Sequence, residues 1–246
     1  MNTTSLPVFP WHTTFLILLA VMITRYFVLV APVFWLVKKI NHQFPNRFEI
    51  GIQTMDSRQK RKDIFWSLLS SGIFALSGTI MIMLWQRGEL QIYQGWQTYG
   101  SWYFFVSGFL LMVLHDTYFY WTHRWLHFPK LFKSIHKVHH ESRIPSAWTA
   151  FAFHPVEALI QAAFLPLMFW LLPVHWLILL FFLGAMSILG VINHLGNEFY
   201  PVFMRKKFPF CHLINATHHQ LHHQKMSFNL GLYFNFWDLI METEYE

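Results

Sequence analysis

The sequence predicts an all-α protein, a polytopic membrane helical bundle with a cytosolic, histidine-rich helical cap. Of its 246 residues, 54% are hydrophobic and only 12% charged, against roughly 25% charged in ordinary soluble domains. Several apolar runs are long enough to cross a hydrocarbon core of about 30 Å. Twelve of the 16 histidines crowd into two polar segments between or after those runs.

The first run, Phe15 to Val37, is interrupted by Arg25 and Pro32. An arginine at that depth must snorkel, face protein or mark a bend. Residues 38–63 form a basic connector containing Lys38, Lys39, Arg47, Arg58, Lys60, Arg61 and Lys62. Ile64 to Trp85 is a clean second span. Trp102 to Trp121 is a third, and it ends in His115, Asp116 and Tyr120 just before His123. After the polar segment 122–154, Pro155 opens an apolar region that breaks at Pro173 and resumes to Ile192, the pattern of a tight transmembrane hairpin or a shallower re-entrant pair. Two regions are expected: 1–100, with two spans and a basic connector, and 101–246, which carries the chemistry.

The N-terminus lacks the basic flank and small-residue cleavage site of a secretory signal, so the first run is expected to be retained. Cys211 is the sole cysteine; it excludes an intramolecular disulfide and leaves metal chemistry to histidine. Basic residues concentrate in 38–63, 122–154 and 194–246, which the positive-inside rule assigns to the cytoplasm. The N-terminus, the 86–101 loop and the Pro173 turn fall on the other side, and every clustered histidine falls on the cytoplasmic one. The +6 formal charge is therefore read as topology, and no nucleic-acid partner is expected.

The histidines repeat at helical spacing. His123 and His127 stand four apart, while His136, His139 and His140 share the form H-x-x-H-H with His219, His222 and His223. Side chains three and four apart lie on one helix face, so each set is expected to converge on one point. Neutral imidazole ligates metals, and a bound cation is the simplest means of holding so many rings together.

These three boxes, His123-Arg-Trp-Leu-His127, His136-Lys-Val-His139-His140 and His219-Gln-Leu-His222-His223, resemble the signature of the membrane-bound fatty acid hydroxylase and sterol desaturase superfamily. Further matches are the 115–124 run, Phe-His-Pro-Val-Glu at 153–157, Asn193-His194, and Asn-Leu-Gly followed by Phe-Trp-Asp within 229–238. The resemblance covers roughly residues 100–243, and the form around His218 is similar to the sterol C5-desaturase-like branch. It implies two iron ions held mainly by histidine, dioxygen as co-substrate, and attack on an unactivated C–H bond of a lipid to give a hydroxyl group or a double bond. Imidazole suits zinc as well as iron, so zinc can stand in for iron in a recombinant preparation.

On that resemblance the expected ligands are His123, His127, His136, His139, His140, His194, His219, His222 and His223, with His218 either a ligand or an outer partner. His154 is expected to be structural, and His115 too distant for the metal of His123. Asp116, Glu157 and Asp238 are expected to orient metal-bound imidazoles, or else to pair with Arg124, Arg143 or the lysines. His12, His42 and His175 are expected to be merely interfacial. The family's glycine after Trp-Asp is missing, which puts the last turn in question. No His-Pro-Gly-Gly motif occurs, so electrons are expected from a separate donor of the cytochrome b5, ferredoxin or reductase type. The basic surface of Arg124, Lys130, Lys133, Lys137 and Arg205 to Lys207 suits anionic lipid or an acidic donor.

Two other classes compete. A membrane zinc hydrolase lacks its H-E-x-x-H motif here. A non-enzymatic transporter or haem-binding protein would place its ligands near the bilayer midplane, whereas these sit at one face.

Overall fold

The computed structural model describes residues 9–43, 56–196, 198, 200, 201 and 207–245. Arg47, Arg205 and Lys206 of the expected basic surfaces lie outside them. The described chain is helical apart from one two-residue strand pair and an isolated bridge.

Helix α1 (Trp11–Gln43) runs unbroken through Arg25, Pro32, Lys38 and Lys39, so the first span and the start of the connector are one element. Helix α2 (Ser57–Gln86) is capped by Asp56, whose side chain accepts the Arg58 amide at 3.2 Å. Its buried face is polar: Asp63, Ser67, Ser70, Ser71 and Thr79. That stripe docks backbone, since Ser67 and Ser70 donate to the carbonyls of Trp148 and Phe153 at 3.4 and 3.0 Å. In a low-dielectric interior such bonds specify one docking register, because an unpaired carbonyl is costly there.

Among the described residues, three helical stretches have the length and apolarity to cross a membrane: Trp11–Ile40, Ser57–Gln86 and Trp176–Asn193; Pro155–Leu171 is apolar but shorter. The expected third span is a helix, α3 (Ser101–Leu126), yet it is not one of them. Its apolar run is diluted by Ser107, His115 and Asp116, all buried in the bundle. Its opposite face exposes Trp102, Phe105 and Phe109 at 67%, 73% and 67%, large apolar groups at helical spacing that suit a lipid-facing side.

The predicted hairpin is α6 (Pro155–Leu171) followed by α7 (Trp176–Asn193), where α4 (Pro129–Leu131) and α5 (Lys137–His140) are the short helices preceding it. Its turn pairs with the 86–101 loop, which spacing alone did not reveal: β1 (Ile92–Tyr93) runs parallel to β2 (Val174–His175). His175 corrects an expectation, because it is fully buried. Its Nδ1 caps α7 by accepting the Leu177 amide at 3.2 Å, and its Nε2 lies 2.9 Å from the Gln94 carbonyl.

Two apolar clusters hold the bundle. Leu111, Phe164, Phe169, Ile178 and Phe182 pack near this turn. Tyr26, Val30, Trp148, Phe151 and Val191 pack where α1 and α7 meet the 3-10 turn Ala147–Phe151. The chain closes with α8 (Ala216–Lys225) and α9 (Phe236–Ile240).

The missing glycine leaves a mark on α9. Thr243 N bonds Asp238 O at 2.8 Å and Glu242 N bonds Leu239 O at 3.4 Å, the two bonds of a Schellman ending. Glu242 takes the left-handed position at φ 55°, where glycine would be unstrained.

Candidate metal centre

Three helical pieces and the end of α7 deliver nine imidazoles to the interior. The last turn of α3 carries His123 and places His127 at its cap. Pro129 starts α4, and a π-helical turn, Phe132–His136, leads into α5 with His139 and His140. Asn215 starts α8 by accepting the His218 amide at 3.0 Å, which sets the phase of His219, His222 and His223. His194 caps α7.

The nine fall into two groups. His123, His127, His136, His140 and His222 form one; His139, His194, His219 and His223 form the other, with the ligand atoms of each group within 4.8 Å of one another. Each H-x-x-H-H box is thus split, against the expectation of one point per box. The reason is helical phase: at about 100° per residue, neighbours such as His139 and His140 diverge widely while residues four apart nearly eclipse. So the i, i+4 pair of each box stays together, and the middle histidine crosses to the other group. His136 and His140 join the first group and receive His222 from the other box; His219 and His223 anchor the second and receive His139.

Hydrogen-bond bookkeeping shows that the rings suit metal. The Nδ1 atoms of His123, His222, His194 and His139 face the carbonyls of Leu230, Phe228, Gly190 and Ala152 at 2.9, 2.8, 2.7 and 3.3 Å. A carbonyl only accepts, so each Nδ1 bears the proton and each neutral ring presents a bare Nε2. His136 Nδ1 lies 2.8 Å from Glu157 Oε1. Yet Nε2 of His123 stands 3.0 Å from Nε2 of His136, and Nε2 of His139 stands 3.3 Å from Nε2 of His194. Lone pairs facing each other at that distance repel unless a cation lies between them. Nitrogens bound about 2.1 Å from one ion stand roughly 3 Å apart at right angles, the spacing seen. His127 Nε2 is buried without a hydrogen-bond partner among the described residues, as a ligand atom awaiting an ion would be.

Electrostatics agree. Burial, and then neighbouring imidazoles, push His136, His139, His140, His219, His222 and His223 well below the ordinary imidazole range, and burial takes His194 down to about 4. The rings are therefore neutral near pH 7, the form that binds a metal.

The other expected residues take distinct places. His218 joins neither group; its Nε2 lies 3.9 Å from Glu244 Oε1. His154 caps α6, accepting the Val156 amide at 3.3 Å. His115 binds the Tyr233 hydroxyl at 2.9 Å and belongs to neither group. Glu157 alone of the three acids touches a clustered ring. Asp238 accepts the amides of Leu230 and Gly231, both at 2.8 Å, and Asp116 accepts those of Tyr233 and Phe234 at 2.8 and 3.3 Å. Together they fix the 228–234 loop, whose carbonyls hold His123 and His222. Gly231 is required there, since a Cβ would meet Phe234 O at 2.5 Å and the Asp238 carboxylate at 2.9 Å.

Sequence reasoning missed Asp63 and Glu198. Asp63 accepts Gln59, Ser142 and Thr149 side chains at 2.8, 3.0 and 2.8 Å, clamping α2 to the segment after His140. An acid immediately before the apolar run at Ile64 was the available signal. Glu198 accepts the Thr217 hydroxyl at 2.9 Å and steadies the start of α8.

Both groups open onto one cavity of about 180 Å³. Its walls are mainly apolar, with Phe119, Phe153, Phe164 and Phe182 contributed by α3, α6, α7 and the 153–154 link, and Met22 and Phe74 by α1 and α2.

Residues 108–243 match the sequence model of the fatty acid hydroxylase family. Among curated proteins, a Delta(7)-sterol 5(6)-desaturase of Gibberella zeae is 31% identical over 61% of this chain and 46% of its own length. Human lathosterol oxidase is 27% identical over 74% of this chain and 60% of its own. A C-4 methylsterol oxidase of Schizosaccharomyces pombe is 31% identical over 55% and 46%. The chain thus spans about half of the length of the relatives it matches. No solved structure matches.

Proposed function

The chain belongs to the fatty acid hydroxylase family, and from that premise we propose that it is an integral membrane oxidoreductase that uses dioxygen and external electrons to hydroxylate or desaturate a lipid at an unactivated C–H. The observation that carries this reading is the pair of buried imidazole groups opening onto one apolar cavity. The five-histidine and four-histidine groups would each hold one iron ion. When bound, the iron pair supplies the redox chemistry that activates dioxygen and removes hydrogen from carbon.

What the chain itself contributes is position and dryness. Carbonyls of Leu230, Phe228, Gly190 and Ala152 fix ring tautomers, and the Glu157 carboxylate holds His136. The aromatic walls exclude water, which protects a strong oxidant from side reactions. They also accept an apolar tail from the bilayer. Hydroxylation takes one oxygen atom into the lipid and reduces the other to water with two electrons and two protons. Desaturation removes two hydrogens and reduces both oxygen atoms to water with the same two electrons. A separate donor, of cytochrome b5, ferredoxin or reductase type, would supply them on the histidine side, which we read from the distribution of basic residues as the cytoplasmic face of a bacterial inner membrane or of the endoplasmic reticulum.

A zinc hydrolase would leave most of nine ligands unused. The relatives' names make sterols the first lipids to try. The test is iron per chain together with lipid-dependent dioxygen uptake, and a comparison of lipids from cells with and without the protein. A gain of one oxygen or a loss of two hydrogens in one lipid class is expected; a metal-loaded protein that consumes no dioxygen with any lipid would overturn the reading.

A further inference from the structure

Arg25 lies well inside a membrane-crossing helix that runs through it without interruption. It turns inward, donating from Nη1 to Ser187 Oγ at 2.6 Å and laying its guanidinium 4.8 Å from the centre of the Phe151 ring. Ser187 itself donates to the Leu183 carbonyl at 2.6 Å, so it stays an acceptor toward Arg25. The Nε of Arg25 is buried with no hydrogen-bond partner among the described residues. None of the described ion pairs includes this arginine.

The guanidinium also lines the cavity that the metal-facing histidines line. Only one other lining residue outside the histidines is an acid or a base, Glu157; its Oε1 faces His136 Nδ1 at 2.8 Å, its Oε2 is buried with no hydrogen-bond partner among the described residues, and no described ion pair joins it to Arg25. An arginine this deep is costly unless it meets an acceptor, and a guanidinium offers five donors in a fork matched to carboxylate or phosphate oxygens. The nine imidazoles are neutral and contribute no balancing negative charge.

We propose that Arg25 is the recognition site for the polar end of the lipid substrate, and that this end carries an anionic oxygen group, a carboxylate or a phosphate. The inference rests on the oxygenase reading and narrows its substrate class. It also bounds the position of attack. Ser187 precedes His194 by seven residues on α7, about 10 Å of helix. A lipid held by Arg25 therefore presents to the histidines a carbon within roughly that distance of its polar group, in the nearer half of a long chain.

The test uses the full chain in lipid nanodiscs, loaded with iron. Binding of hexadecanoate, hexadecyl phosphate, hexadecan-1-ol and cholesterol is measured for the wild type, Arg25→Gln and Arg25→Lys. The wild type should bind one of the two anionic lipids roughly tenfold or more tighter than the alcohol, and which of the two it favours identifies the group. Arg25→Gln should lose that preference and Arg25→Lys keep part of it, with iron content equal in all three. Equal binding of acid, phosphate and alcohol by the wild type overturns the proposal even if neither variant folds. So does a preference that survives in Arg25→Gln, or the tightest binding by cholesterol. Oxidised product from the preferred lipid should carry its change in the half next to the polar group; a change at the far end contradicts the placement. Iron content and dioxygen uptake, read in parallel, separate the two failures: no iron or no uptake sinks the oxygenase reading while selectivity stands, and normal uptake without selectivity sinks only this one.

Discussion

Glu157 Oε1 lies 2.8 Å from Nδ1 of His136, and both side chains are all but closed to solvent. A carboxylate on the outer nitrogen raises the basicity of the inner one and fixes the ring plane, and loss of such a partner typically weakens metal affinity by about 10–100-fold. Glu157→Gln keeps an acceptor and loses the charge, so it should fall at the mild end. Glu157→Ala should fall at the severe end. Iron titration of chelator-stripped protein measures both, with membrane insertion as the control. Unchanged affinity in Glu157→Ala would show that the pair is only structural.

His139 and His140 are adjacent in the chain and serve different groups. Removing His139 leaves its group three rings, whereas removing His140 leaves its group four. His139→Ala should therefore lose about one iron of two, His140→Ala should lose less, and both should lose turnover, since the reading requires the pair. Iron per chain by mass spectrometry decides it. Equal and complete loss of both ions from either variant would mean that the groups fill cooperatively rather than separately.

Helical phase explains how much of this was legible beforehand. Spans follow from hydropathy and the three boxes from i, i+4 spacing, because both are local properties, whereas the inclusion of His194 among the clustered rings came from the family resemblance. The division of each box between two groups is local too, but it emerges only when the 100° step between His139 and His140 is combined with knowledge of where the other helices stand. The partners of the outer nitrogens were not legible at all. Four of them are backbone carbonyls, of Leu230, Phe228, Gly190 and Ala152, and no residue type announces a carbonyl's direction. Asp116 and Asp238 were foreseen to orient imidazoles, and they bind amides of the loop that carries two of those carbonyls, one step further out.

Burial fixes the sign of the pH response. His136, His139, His140, His194, His219, His222 and His223 are all shifted down, so between their folded values and the unfolded value of about 6.5 the unfolded chain binds more protons. Stability of the metal-free chain is then full above about pH 6.5 and lost as pH falls. Buried carboxylates, Asp238 among them, are shifted up, chiefly by burial, which acts in the opposite sense, but they are fewer than the imidazoles. Thermal unfolding of chelated protein in detergent, followed from about pH 8 to about pH 5, should show a steadily falling midpoint. A flat or rising profile would contradict neutral, buried imidazoles.

His175 sits at the far end of α7 from His194, about 27 Å away along an 18-residue helix, so it can test the scaffold without touching the site. Its ring accepts the Leu177 amide, reaches the Gln94 carbonyl, and packs 4.8 Å from Trp96 and 5.3 Å from Phe104. A neutral ring with its proton on Nε2 satisfies both bonds at once. His175→Ala removes a helix cap, typically about 1 kcal/mol, together with a second buried bond of similar size. The variant should unfold several degrees lower with iron per chain unchanged. If the melting point holds, the β1–β2 turn is not pinned by this ring; if iron is lost at constant stability, the two ends of α7 are coupled in a way that the geometry does not provide.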